Sequence, residues 1–314
     1  MLGRTANGLF WMFRYLERAD NIARLVQAGF RMAMTRGTID AEDEWRSVLL
    51  TAGMQSAYAA QHDSYPGAQV FNFLLRDRDN PGSVLAIIER ARTNARMVRT
   101  ALTREVWEAT NESWMRWKEM LSRPVRETSL HAVIETIHRD SLLMRGAMLG
   151  TMLRNEIFNF TRLGMFVERA ENTARILDVK YYVLLPSVSY VGSSLDNVQW
   201  DNVLRSVAAE RAFRWLNAGR TDPRKIAEFL ICDERFPRSL TYCYDKLQSN
   251  LDQIGRAHGQ EVLSHRLVGA ARAELGRQPI EGIIDRGLHQ FIQGFITRNQ
   301  SLAAQIERDF RFIE

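Results

Sequence analysis

Apolar residues recur at i, i+3, i+4 and i+7 through nearly every stretch between the seven prolines, at positions 66, 81, 124, 186, 223, 237 and 279. That period is the signature of amphipathic α-helices, and no stretch reads as a strand. The pattern predicts helices over about 6–34, 41–60, 68–76, 82–102, 104–121, 129–152, 155–185, 197–218, 223–231, 238–254, 259–276 and 280–312. Start signals agree: Asp40 precedes AEDEWRSVLL, Asn80 precedes Pro81 at a first helical position, Thr128 and Ser129 precede LHAVIETI, and Asp222 precedes Pro223. Side-chain oxygens at such places accept from first-turn amides that have no partner within the helix.

The helical pattern repeats. ERADNIAR begins at Glu17 and ERAENTAR at Glu168, an offset of 151. Trp45, Val48 and Leu49 match Trp200, Val203 and Leu204 at an offset of 155. Phe73, Leu74, Leu75, Asp77, Pro81 and Ser83 match Phe229, Leu230, Ile231, Asp233, Pro237 and Ser239 at 156. A looser match pairs Leu130, His131 and Ile134 with Leu288, His289 and Ile292 at 158. Ordered matches at nearly constant offset imply a duplication, and no Gly/Ser/Pro-rich linker separates the copies. The expected fold is therefore all-α: a single multi-helix domain of about twelve helices over 1–314, built from half-chains 1–152 and 153–314 packed about a pseudo-twofold axis.

Within the first motif, Glu17, Asp20, Asn21 and Arg24 share one helix face, with Leu16, Ala19, Ala23 and Val26 on the other. The second copy repeats the stripe as Glu168, Glu171, Asn172 and Arg175, backed by Val167, Ala170, Ala174 and Leu177. A near-copy, ERARTNAR from Glu89, moves the amide to Asn94 and loses the stripe. Such a face admits three readings: a solvated surface of i,i+4 ion pairs, a buried structural network where the two motif helices meet, or a ligand site. The retained Asn speaks against the first, because Asn is a mediocre helix former that a merely solvated face does not need. Arg18 and Arg169, next to the glutamates, belong to the same candidate set.

Composition narrows the alternatives. With 46% hydrophobic and 25% charged residues the chain has material for a core, and its 19 Gly and 7 Pro are too few for a loop-rich all-β protein. Of the 42 basic residues four are lysine, leaving 38 arginines, the side chain suited to bidentate pairing with carboxylates or phosphates. Arg92, Arg96 and Arg99 align on one helix face and form a possible anion-facing stripe, against the plainer reading of a solvated basic face; no nucleic-acid motif accompanies them. The longest uncharged stretches are too short and polar to span a bilayer, and Arg14, Glu17 and Arg18 interrupt any leader-like run. With two cysteines, Cys232 and Cys243, read as buried hydrophobes, a cytoplasmic location is expected.

Chemistry is weakly signalled. Glu135 and His138 form one Glu-x-x-His, but a ferritin-like di-metal site needs a second copy and two more carboxylates, so neither metal nor cofactor is expected. No phosphate-binding glycine loop, HExxH or GxSxG is present.

Three segments, LGRTANGLFWMFRYLERADNIARLV, NPGSVLAIIERARTNARMVRTALTREVWEATN and FLICDERFPRSLTYC, resemble the bacterial alpha-E domain family over essentially the whole chain. The family's Glu-Arg motif is matched by Glu17-Arg18 and Glu168-Arg169, with Asp20 and Ile22 standing in the first copy where the family tends to Glu and Thr. The resemblance implies a domain of unknown function. It further implies partners among circularly permuted ATP-grasp proteins and transglutaminase-like peptidases, in a peptide-ligation or peptide-tagging system. On that footing the chain is expected to be a non-catalytic helical partner that presents a peptide substrate. The alternative is an enzyme in its own right that uses Glu17 or Glu168 as a base and Arg18, Arg24, Arg169 and Arg175 to hold an anionic substrate.

Overall fold

In the computed structural model, residues 1, 3–35, 38–182, 194–217 and 222–312 are described, without the side chains of 35, 38–40, 179–182 and 194–197. Two long helices dominate: α1 (Gly3–Thr35) and, after the first half of the chain, α8 (Glu156–Tyr182). Between them run α2 (Thr38–Ala52), α3 (Gln55–Ala59), α4 (Gly67–Arg76), α5 (Val84–Met97), a 3-10 turn (Arg99–Ala101), α6 (Arg104–Met120) and α7 (Glu127–Thr151). After α8 come α9 (Ser194–Ser206), α10 (Glu210–Leu216), α11 (Pro223–Cys232), α12 (Leu240–His258), α13 (Leu263–Arg277), α14 (Ile280–Arg286) and α15 (Leu288–Asp309). Among the described residues every regular element is helical.

Among the described residues these are fifteen α-helices where the periodicity predicts about twelve, because three predicted helices each break at one left-handed residue or turn. Gly53 (φ +72°) separates α2 from α3, Ala208 (φ +56°) lies between α9 and α10, and Gly287 (φ +102°) separates α14 from α15. A left-handed residue ends the i→i−4 ladder without changing the apolar period on either side, so periodicity alone runs through it. Of the expected caps, Asp222 accepts from the Arg224 amide with Pro223 in the first turn. Asn80 instead turns the loop, accepting from the Gly82 amide, and Ser83 caps α5. Ser129 lies inside the first turn of α7, its hydroxyl accepting from the Arg126 amide. Helix α2 starts two residues before Asp40, whose side chain lies outside the described residues, as do residues 183–185 of the predicted helix over 155–185.

α1 and α8 pack directly against each other at the centre. Around α1 lie α2, α5 and α7; around α8 lie α9, α12 and α15; and α9 also reaches α1 while α2 reaches α8. Both central helices are buried nearly all round, with Phe10, Phe13, Ala19, Ala23 and Val26 on α1 and Phe166, Val167, Ala170, Ala174 and Leu177 on α8 each at most 1% exposed. Their close approach depends on Gly164, where a Cβ would stand 2.0 Å from the Phe10 carbonyl oxygen. A helix enclosed on all sides must place any charged residue against another element, and that requirement creates the site described next.

Local details recur at the spacing of the sequence matches. The Gly53 amide donates to Leu50 O and that of Met54 to Leu49 O; the Ala208 amide donates to Arg205 O and that of Ala209 to Leu204 O. Asp77 Oδ1 accepts from the amides of Asp79 and Asn80, as Asp233 Oδ1 does from those of Arg235 and Phe236. Ser83 caps α5 and Ser239 caps α12 through the same hydroxyl-to-amide contact. Among the described residues no helix is long and apolar enough to cross a membrane.

Candidate functional site

The charged stripes of α1 and α8 face each other where these helices cross. Glu17, Asp20, Asn21, Glu168, Arg169, Glu171 and Asn172 are all at least nine-tenths buried, which removes the solvated-face reading. The first copy is the more deeply enclosed: Asp20 is 0% and Glu171 7% exposed.

The two Glu-Arg dipeptides pair crosswise. Arg169 donates from Nε to Glu17 Oε1 and from Nη2 to Glu17 Oε2, both at 2.9 Å. Arg18 donates from Nε to Glu168 Oε1 at 2.6 Å and from Nη2 to Oε2 at 2.8 Å. Both are fork-on-fork pairs, the strongest geometry an arginine and a carboxylate can make. Within each helix, Arg24 donates to Asp20 and Arg175 to Glu171.

Several members of the network lie outside the sequence motif. Arg145 of α7 bridges Glu17 and Asp20 at 3.0 Å each, and Arg14 bridges Glu168 and Glu171 at 2.9 and 3.4 Å. Arg238, just before α12, donates to Glu17 Oε1 (2.9 Å), Asn21 Oδ1 (3.0 Å) and Asp20 Oδ2 (3.2 Å). His138 Nδ1 lies 2.6 Å from Asp20 Oδ1, and Gln300 of α15 donates to Glu171. Arg14 was recoverable from sequence, because it lies three residues before Glu17 on the same face. Arg145 carried no signal beyond helical placement, and His138 stood out only as half of a Glu-x-x-His, since only tertiary packing brings α7 onto α1.

Burial alone would raise the carboxyl pKa values, but the converging arginines overcome it. Glu168 is held at about 2, chiefly by Arg18 and Arg14, and Glu17 lower still by Arg169, Arg238 and Arg145. Asp20 is held well below the usual range, against its own burial, by the His138 contact and by Arg145, Arg24 and Arg238. Arg238 itself is pushed down to about 10, mainly by burial.

One side of this network is open. A cavity of about 350 Å³, within the size range of small-ligand sites, is lined by Arg18, Asn21, Glu168, Glu171, Asn172 and Arg175 together with the loops around Gly53 and Asn80–Gly82. Its exposed lining residues Gly53, Ala57 and Pro81 open it to solvent. The cleft is thus lined from α1 by Arg18 and Asn21 and from α8 by Glu168, Glu171, Asn172 and Arg175, while Arg238 packs against Glu17, Asp20 and Asn21.

The remaining candidates lie elsewhere. Arg92 donates to Asn111 and stacks 3.9 Å from the Trp114 ring centre, and Arg99 lies over Trp107, so two of the three stripe arginines are engaged by α6; Arg96 is exposed. Glu89 and Arg90 of the third near-copy are exposed on α5. Glu135 is exposed while His138 turns to Asp20, so the Glu-x-x-His does not converge, and among the described residues no three His, Cys, Asp or Glu side chains are placed to hold a metal. Burial pushes the Cys243 thiol up to about 12 and that of Cys232 to about 11, which leaves neither as a thiolate at neutral pH.

The crossed Glu-Arg pairs coincide with the hallmark of a known family. Residues 1–310 match the Alpha-E model, described as a predicted alpha-helical domain with a conserved ER motif. The chain belongs to the Alpha-E family. Among curated relatives, an uncharacterized protein of Mycobacterium bovis and one from each of two Mycobacterium tuberculosis strains are each 23% identical over 273 residues. The aligned region covers 82% of this chain and 30% of each relative, so the Alpha-E chain spans about a third of the length of those proteins. No solved structure matches this Alpha-E chain.

Proposed function

We propose that this Alpha-E chain is a non-catalytic helical component that binds and presents a peptide substrate to an ATP-grasp ligase, with a transglutaminase-like peptidase as a further partner, in a cytoplasmic peptide-ligation or peptide-tagging system. The observation that carries the non-catalytic reading is the state of the motif carboxylates. Glu17 and Glu168, the candidate bases, have both oxygens engaged by arginines, and Glu168 sits at about pKa 2. A general base works best with a pKa near the operating pH, and a carboxylate so strongly stabilised as the anion is a poor proton acceptor. The open cleft at the second copy is then a place to hold a ligand, and the partners follow from the family resemblance. The two thiols, both unpaired, fit a reducing compartment.

The same reading takes the chain as a duplication of 1–152 and 153–314 about a pseudo-twofold axis through the α1–α8 crossing. In support, α2, α5 and α7 around α1 have counterparts in α9, α12 and α15 around α8, with shared turn, cap and crosswise pairing geometry. Neither half then buries its motif charges alone, which makes the network the joint core of both.

Co-expression with an ATP-grasp protein encoded beside it, followed by size exclusion, tests the assignment. Co-elution in a defined ratio is the expected result, and separate elution at micromolar concentration would overturn it. A Glu168→Gln variant that unfolds at a lower temperature is expected; one that keeps its thermal midpoint but loses a turnover would instead establish the enzyme reading.

A further inference from the structure

Four arginines surround the first carboxylate pair and three the second. Arg169 on Glu17 corresponds to Arg18 on Glu168, and Arg24 on Asp20 to Arg175 on Glu171; Arg145 bridges the first pair and Arg14 the second, from unrelated positions on α7 and α1. Arg238 has no such counterpart. By the 156-residue offset of the Pro81/Pro237 landmark, its position in the first half is Gly82. Gly82 has no side chain, and the 350 Å³ cavity lies beside it.

The acceptors that hold the Arg238 guanidinium are Glu17, Asp20 and Asn21; the corresponding residues Glu168, Glu171 and Asn172 line the cavity. Asn21 Oδ1 accepts from Arg238, whereas Asn172, only 7% exposed, makes no side-chain hydrogen bond among the described residues, so its Oδ1 lacks the donor that Arg238 gives Asn21; Nδ2 is unpartnered in both. An amide oxygen with no donor in the chain is an acceptor that a guanidinium N–H can meet, as Arg238 meets Asn21.

We propose that this cavity is a guanidinium subsite that takes an arginine side chain of a peptide segment, placed as Arg238 is placed in the other half. The inference rests on the correspondence between halves drawn above, and it requires no ATP-grasp partner, so co-elution and ligand binding fail independently. Gly53 and Pro81 are exposed at the mouth of the cavity, where the backbone on either side of such an arginine would lie. Arg18 and Arg175 also line the cavity, so an anion is the competing occupant that the experiment must separate.

The test is calorimetric titration of the full chain with Nα-acetyl-L-arginine amide, Nα-acetyl-L-lysine amide, agmatine and inorganic phosphate. The expected result is saturable one-to-one binding of the arginine amide, about tenfold tighter than the lysine amide, because a planar fork matches the paired acceptors better than a point charge. Gly82→Arg should fill the site from within, abolishing that binding and raising the thermal midpoint. The new Cβ would meet Met54 Cε at 2.4 Å, the movable end of a flexible side chain. Asn172→Ala provides a milder check, expected to weaken the arginine amide about tenfold with little change in the thermal midpoint. Saturable binding of phosphate in place of the arginine amide, or arginine-amide binding unchanged in both variants, would overturn the proposal. Agmatine binding more tightly than the amide would overturn the peptide source.

Discussion

Glu17 accepts both forks of the Arg169 guanidinium at 2.9 Å although the two residues are 152 positions apart. The pair therefore joins the first half of the chain to the second, and it does so where Arg145 and Arg238 also converge. Glu17→Gln would leave three buried guanidinium groups facing a neutral amide. A broken buried pair costs about 3–5 kcal/mol, because the surviving charge stays desolvated. Urea denaturation followed by circular dichroism should register a loss of that size. Glu108→Gln, which disturbs only the exposed contact with Arg104, should leave the midpoint where it is.

Acid should dismantle the same network. Glu168 ionises at about 2 in the folded chain, below an ordinary glutamate, so the unfolded chain binds more protons as pH falls. The stability that this depressed pKa contributes is complete above about pH 5 and drains away as the pH falls toward 2. Glu17 and Asp20, shifted in the same direction, lose theirs over the acid range as well. Denaturation midpoints measured from pH 7 to pH 2.5 should fall steadily below pH 5. In Glu168→Gln the curve should start lower and flatten, the Glu168 share being on the order of 3 kcal/mol. A wild-type chain equally stable at pH 7 and pH 3 would contradict the paired arrangement.

The elements were legible in the sequence because apolar period survives wherever a helix has one buried face, as in α4, α5 and α12. The motif stripe was legible as a face, since Glu17, Asp20, Asn21 and Arg24 share a side of one helix. Its enclosure was not, because burial of a charged face depends on what packs there, and α7 and the Pro237–Arg238 turn arrive from 125 and more residues away. The breaks at Gly53, Ala208 and Gly287 were hidden for a different reason: a single left-handed residue leaves the pattern intact on both sides. The clearest missed signal was the mismatch of Gly82 with Arg238 inside an otherwise aligned landmark.

The glycines separate contact from conformational freedom. At Gly164 an added methyl would meet the Phe10 backbone at 2.0 Å, and backbone cannot step aside without parting α1 from α8. Gly164→Ala should cost about 1–3 kcal/mol or more, as overpacking does, and should loosen the motif network with it. Gly146 and Gly150 of α7 meet nothing within 4 Å, so Gly146→Ala and Gly150→Ala should each stabilise by about 0.5–1 kcal/mol through helix propensity. Thermal melts of the three variants decide the matter, and a neutral Gly164→Ala would show that the helices do not cross as closely as 2.0 Å implies.

Arg238 offers the complementary experiment to filling the cavity, namely emptying its occupied counterpart. Arg238→Ala removes one of four arginines from around Glu17 and Asp20, and it leaves Asn21 Oδ1 without its donor. Because Arg169, Arg145 and Arg24 remain, the two carboxylates keep enough compensation for the chain to fold, at a cost of about 2–4 kcal/mol. The space vacated retains its acceptors, so a small alkylguanidinium such as ethylguanidinium at millimolar concentration should restore part of the lost thermal midpoint. Ethylammonium at equal concentration should restore less, since it cannot bond Glu17, Asp20 and Asn21 from one plane. Recovery that is the same for both cations would reduce the role of Arg238 to charge alone, whereas selective recovery would establish that these acceptors recognise the guanidinium shape.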